Sequence, residues 1–166
     1  MIKFVFFKLY SLLLCLALTL TLFISCSQKK YDDSVECSYI TTVLQSDVLN
    51  GEKYSLYSAE DISFMLDTDN FDSYSVLFST SGDDIGEVGV FHAISNDEST
   101  ELLDDVVDYL TRMKEEKEAF VRNYLPEELQ KLEQAKVKRF GNYVVFTVLS
   151  EAQSDAAFKK IEQILK

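Results

Sequence analysis

The sequence predicts an α+β domain: an antiparallel sheet of about four strands in two hairpins, packed against a long helix and a C-terminal helix. Three observations carry this. Tyr74, Val76 and Phe78 alternate with Ser75, Leu77 and Ser79, and the turn Ser81-Gly82-Asp83-Asp84 separates them from a second strand-like run, Ile85 to Ile94. Gly141-Asn142 joins the β-rich runs Lys136–Phe140 and Tyr143–Leu149, and Gly supplies the positive φ that a two-residue hairpin turn needs. Between the hairpins an apolar stripe at helical spacing runs from Leu102 to Tyr124.

The remaining elements follow in chain order. Cys37, Ile40, Val43, Leu44 and Val48 sit at helical spacing within residues 36–49, and Asn50-Gly51 is a helix stop. Ser58 with Asp61 reads as a capping box before a short helix whose apolar side is Ile62, Met65 and Leu66. Asn96-Asp97-Glu98 opens the long helix with acids that suit its dipole. Its stripe is Leu102, Leu103, Val106, Val107, Leu110, Met113, Phe120, Val121 and Tyr124. Arg112, Lys114, Glu115, Glu116, Lys117, Glu118 and Arg122 make a charged, solvated face, with Arg112/Glu116 and Glu118/Arg122 spaced for ion pairs. Pro126 restarts a short helix at its first position. Ser150 with Gln153 caps the last helix, which turns Ala157, Phe158, Ile161, Ile164 and Leu165 to a core. Two hairpins with flanking helices suggest a sheet covered on one face.

The chain has 166 residues, 47% of them hydrophobic, and 16 Lys+Arg against 28 Asp+Glu give a net charge of −12. That length supports one domain with a tail. An acidic chain releases no counterions from a phosphate backbone, so no nucleic-acid partner is expected. A single His and no Cys-x-x-Cys pair exclude zinc-finger and iron–sulfur patterns, and no cofactor is expected.

Residues 1–25 read as an address. Lys3 and Lys8 form a basic start, and Leu9 to Ile24 carries no charge and is rich in Leu. Ser25-Cys26 then precedes the polar run from Ser27 to Asp33. Phe23-Ile24-Ser25-Cys26 resembles a bacterial lipobox, with Phe23 where Leu is usual. The expectation is cleavage between Ser25 and Cys26 and a diacylglyceryl group on the Cys26 thiol. The membrane is then a partner through that anchor, and the protein is lipid-anchored on the cell membrane, facing outside. The bland alternative is an uncleaved signal anchor with an incidental cysteine. Loss of residues 1–25 removes two lysines and no acid, so the exported part is still more negative, and anionic lipid repels it. Residues 26–35 read as lipidated terminus and tether, with Ser27–Val35 reaching roughly 30 Å when extended. Residues 36–166 read as a single globular domain.

Several motifs together resemble a family of lipoproteins from clostridia-type Gram-positive bacteria. They are the lipobox-like start, Glu87-Val88-Gly89-Val90-Phe91 after an acidic turn, and the long Glu/Lys helix. Tyr124-Leu125-Pro126-Glu127-Glu128 leading into Ala135-Lys136-Val137, and Gly141-Asn142-Tyr143-Val144, complete the set. The resemblance covers roughly residues 37–165. The family is defined by an exported domain of unknown function, so the resemblance implies a lipoprotein and a domain boundary, and no catalytic set.

The chemistry-bearing candidates are few. Asp67-Thr68-Asp69-Asn70-Phe71-Asp72 suggests a calcium loop, but the fifth, sixth and twelfth places of an EF-hand hold Phe71, Asp72 and Phe78. Weak cation binding there, or at Asp83 and Asp84, remains open. His92 is the only imidazole and lies within a strand, where a satisfied or surface His is expected rather than a base. Cys37 reads as a small buried helix-face residue. Tyr31, Tyr39, Tyr54, Tyr57 and Tyr74 cluster early and suggest either packing or an aromatic groove. The expected function is a membrane-anchored, non-catalytic binding or interaction domain with its protein or small-molecule partner unknown. The alternative is an envelope hydrolase using a pair of acids.

Overall fold

The computed structural model describes residues 30–49 and 53–166. Ser25, Cys26 and the rest of the signal-like segment, and the Asn50-Gly51 stop, lie outside the described residues. The elements are α1 (Cys37–Asp47), β1 (Tyr54–Leu56), α2 (Ala59–Met65), β2 (Phe71–Ser79), β3 (Glu87–Ala93), α3 (Glu98–Tyr124), α4 (Leu129–Glu133), β4 (Lys136–Phe140), β5 (Tyr143–Val148) and α5 (Glu151–Ile164). Single 3₁₀ turns at Thr68–Asn70 and Pro126–Glu128 lead into β2 and α4.

Local chemistry sets these boundaries. Ser58 and Ser150 both close capping boxes, with Asp61 and Gln153. Gly141 takes φ 62° in the β4–β5 turn. At the start of α3, Ser95 Oγ accepts from the backbone N–H of Asp97 and Glu98. The two expected hairpins form, and β1 adds a fifth, edge strand. The antiparallel order is β1-β2-β3-β5-β4.

Both faces of the sheet are covered, where the sequence suggested one. On one face Leu77, Val88, Val90, Tyr143 and Val145 pack under α1 and α5, against Ile40, Leu44, Ala157, Phe158 and Ile161. On the other, Val76, Phe91, Val144, Phe146 and Val148 pack under α2, α3 and α4, against Ile62, Leu102, Val106, Met113, Val121 and Leu132. Double cover explains why every residue of β5 is buried. It also explains Gly89. It sits opposite Phe146 in the ladder, and a Cβ there would come within 2.2 Å of the Phe146 ring.

Three further expectations are corrected. Phe120 and Tyr124 are 56% and 72% exposed, and Val107 is exposed as well. At about 100° per residue Phe120 and Tyr124 share the bearings of the buried Leu102 and Val106, so their exposure reflects what α3 packs against in its last turns rather than a change of face, and Lys117 falls between Met113 and Val121. Arg112 donates to the Met65 carbonyl at 2.9 Å instead of pairing with Glu116, whereas Arg122 and Glu118 pair at 2.6 Å. The expected tether is fastened from Tyr31 onward. Tyr31 packs edge-on against Phe140, Asp32 N–H donates to the Leu165 carbonyl at 2.8 Å, and Tyr143 OH donates to the Val35 carbonyl at 2.6 Å.

Candidate functional site

Glu87 opens β3 and is 1% exposed. Strand parity points it, with Gly89 and Phe91, at the α3 face. There Tyr109 OH from α3 donates to Oε1 at 2.6 Å, and Tyr57 OH, from the link between β1 and α2, donates to Oε2 at 3.2 Å. Burial raises the Glu87 carboxyl above the ordinary range. The Tyr109 hydrogen bond, the nearby Lys117 ammonium and the Tyr57 hydrogen bond oppose that shift without cancelling it. Burial and the Glu87 charge push both phenols upward in turn, so they stay donors at any ordinary pH.

Glu87 and Tyr57 line a cleft of about 290 Å³ between the turn end of the β2–β3 hairpin and the C-terminal half of α3. Tyr57 stacks on Phe78 at 4.4 Å to form one wall, and Phe120, Glu116 and Lys117 of α3 form the other. The charged face assigned to solvent by its pattern thus contributes two side chains to a cleft. The third side is the hairpin turn. Lys131 of α4 donates to Asp84 Oδ1 at 2.7 Å and to Glu128 Oε2 at 2.8 Å. The backbone N–H groups of Gly86 and Ile85 donate to Asp84 at 2.8 Å and Glu128 at 3.1 Å. Burial alone would raise Asp84, but the hydrogen bonds from Lys131, Ser79 and Gly86 outweigh it and hold the carboxyl below its ordinary value. Lys131 is raised, since its two acids outweigh its burial.

The residues singled out by sequence lie elsewhere, except Tyr57 and Asp84. Cys37 is buried, its Sγ 3.4 Å from Ser73 Oγ, and burial above all pushes the thiol up to about 11, which suits an inert core residue. His92 sits on the α1 face, its ring 4.7 Å from that of Tyr143 and its Nδ1 2.8 Å from Asp72 Oδ1. An irregularity in the β2 ladder between Phe71 and Ser73 turns Asp72 to that side. The Asp67–Asp72 stretch is divided between tasks, with Asp67 capping the Asp69 N–H and Asp72 on His92. Among the described residues no three His, Cys, Asp or Glu side chains gather as metal ligands. The early tyrosines disperse: Tyr31 lies on Phe140, Tyr54 in the core, Tyr74 against Phe71, and Tyr39 is exposed. Glu87, Tyr109 and Lys117 had no signal beyond Glu87's place as an acid heading an apolar strand.

A family model described as a domain of unknown function, DUF4358, matches residues 59–149, more than half of the chain. The chain belongs to the DUF4358 family. The DUF4358 segment begins with α2 and ends just after β5, so it contains Glu87, Asp84, Tyr109, Glu116, Lys117 and Phe120. Tyr57 stands two residues before it, and α1 and α5 flank it. No curated protein and no solved structure matches the chain.

Proposed function

We propose that this protein is a lipoprotein anchored outside the cell membrane through Cys26, and that its domain is a non-catalytic binding module whose ligand enters the Glu87 cleft. The observation that carries the binding reading is the state of the cleft's acids. Both oxygens of Glu87 are held by tyrosine hydroxyls, and Asp84 is committed to Lys131 and Gly86. Each Glu87 oxygen keeps a second lone pair for a ligand's donor, but a carboxylate anchored through both oxygens is not free to advance on a reacting atom. A ligand-directed NMR screen of the full chain in detergent, with neutral, anionic and cationic fragments, tests it. Fragments that shift the amides of Gly86, Glu87 and Lys117 are the expected result. Absence of any response there overturns it.

The anchor reading rests on Lys3 and Lys8, the uncharged run to Ile24 and Ser25-Cys26. It fits a described domain in which no helix is long and apolar enough to cross a membrane. Two acyl chains suffice for stable attachment. Metabolic labelling with palmitate is expected to mark the protein and to vanish in Cys26→Ser. A native chain that still starts at Met1 and lacks acyl mass sinks the reading.

One observation favours the hydrolase alternative. Asp84 and Glu87 line the same cleft with proton affinities displaced in opposite directions, the pattern of an acid–base pair. Turnover in a screen of envelope glycans and esters, lost in both Glu87→Gln and Asp84→Asn, would replace the binding reading.

A further inference from the structure

We propose that the cleft between the β2–β3 hairpin and α3 receives a small organic cation, with its ammonium group placed over Glu87 and between the Tyr57–Phe78 and Phe120 rings. This deepens the binding reading above and depends on it.

Three features of the cleft converge on that chemistry. The first is its charge. Lys131 is shared by Asp84 and Glu128, which leaves Glu87 and Glu116 facing a single cation, Lys117. Among the described residues no ion pair within 4.0 Å reaches Glu87, so its direct partners are two neutral phenols. A carboxylate withdrawn from water and held only by neutral donors gains most from a cation brought into contact. Its raised proton affinity expresses the same demand for positive charge.

The second feature is aromatic. The stacked Tyr57–Phe78 pair faces Phe120 across the cleft, and the Tyr124 ring lies 5.1 Å from Phe120, extending that wall outward. Ring faces attract cations, and the attraction grows where water is excluded. This gives a role to two large side chains that the core leaves exposed. The third feature is size. About 290 Å³ is at the lower end for small-molecule sites. It suits a compact amine or the end of a longer one.

Lys117 sharpens the inference. Its ammonium is the resident positive charge of the cleft and competes with an incoming one. Removing it therefore strengthens binding of a cation, and weakens binding of an anion.

The test titrates the full chain in detergent with n-butylammonium chloride, sodium butyrate and n-butanol, following backbone amides of Gly86, Glu87, Tyr109 and Lys117. Butylammonium is expected to bind saturably, and butyrate not at all. Glu87→Gln should weaken butylammonium about tenfold or more, the scale of a charge-assisted contact. Phe120→Ala, an exposed position that leaves folding intact, should weaken it about threefold. Lys117→Met should tighten it. Nα-acetyl-lysine amide in the same titration identifies the source of the amine. Either order supports the ammonium chemistry, with weaker binding than butylammonium assigning a free amine and tighter binding assigning a lysine side chain. Preference for butyrate, or equal binding of butanol unaffected by Glu87→Gln, overturns the ammonium proposal and leaves a binding cleft standing. Silence from all the probes overturns both.

Discussion

Glu87 is costly to ionise where it sits. Its carboxyl has an ordinary value of 4.5 and is raised in the folded chain. A raised folded value means the folded state holds the proton more tightly than the unfolded state. The stabilisation from this group is therefore complete below about pH 4.5 and is lost as pH climbs through the raised value. Asp84 has the opposite sign. Its contribution is present above its ordinary 3.8 and is lost as pH falls through the lowered value. Glu87→Gln keeps a side chain of the same shape that can still meet both tyrosines, and it removes only the first effect. Asp84 is common to both proteins and cancels in the difference. Urea unfolding of the two proteins at about pH 4 and about pH 8 should show the variant gaining on the parent as pH rises. A difference that stays constant with pH would mean that Glu87 ionises freely. None of this was readable from the residues in order. Glu87 looks like any acid at the head of a strand, and only its burial under α3, where Tyr57, Tyr109 and Lys117 meet it from two other segments, changes its chemistry.

At the scale of elements, legibility divides by distance along the chain. The capping boxes at Ser58 and Ser150 and the Gly141 turn were readable because each is decided within a few residues. β1 was not. It has three residues, and its reason for being extended is the ladder with Ser79, Phe78 and Leu77 of β2, more than twenty positions away. Double cover of the sheet left a trace in Tyr143–Val148, an apolar run without the alternation of a half-exposed strand, and that trace supports two helical layers rather than one. In α3 the stripe holds at Leu102, Val106, Met113 and Val121 and fails at Val107, Phe120 and Tyr124, which the core leaves exposed, while Lys117 lies close to the acid of β3. The consequence is measurable. Val121→Ala empties a fully buried site and should cost about 1–3 kcal/mol in thermal or urea unfolding. Phe120→Ala, its neighbour, should stay within about 0.5 kcal/mol of the parent. A large loss at Phe120 would place that ring in the core and remove it from the cleft.

The whole molecule is an acidic body of net charge −12 that carries its own fastening for the arm leading to Cys26. Tyr31 against Phe140, Asp32 on Leu165 and Val35 under the Tyr143 hydroxyl fix residues 31–35 to the end of the sheet and to the close of α5. With Cys26 lipidated, residues 27–30 alone separate the anchor from the body, and they span at most about 14 Å when extended. Released from Tyr31 to Val35, the arm spans roughly 30 Å. The two states differ in how closely an acidic surface is held to lipid. Docking of the arm therefore works against the repulsion that anionic headgroups exert. Neutron reflectometry of the lipidated chain on neutral bilayers should place the near surface of the body within about 15 Å of the headgroups. Tyr31→Ala together with Tyr143→Phe removes the ring contact and the hydroxyl bond, and should let the body move outward. Added anionic lipid should increase that displacement, and about 0.5 M salt, which shortens the screening length to a few ångströms, should reverse it. A parent protein already standing as far off as the double variant would show that the arm is not held to the body at the membrane.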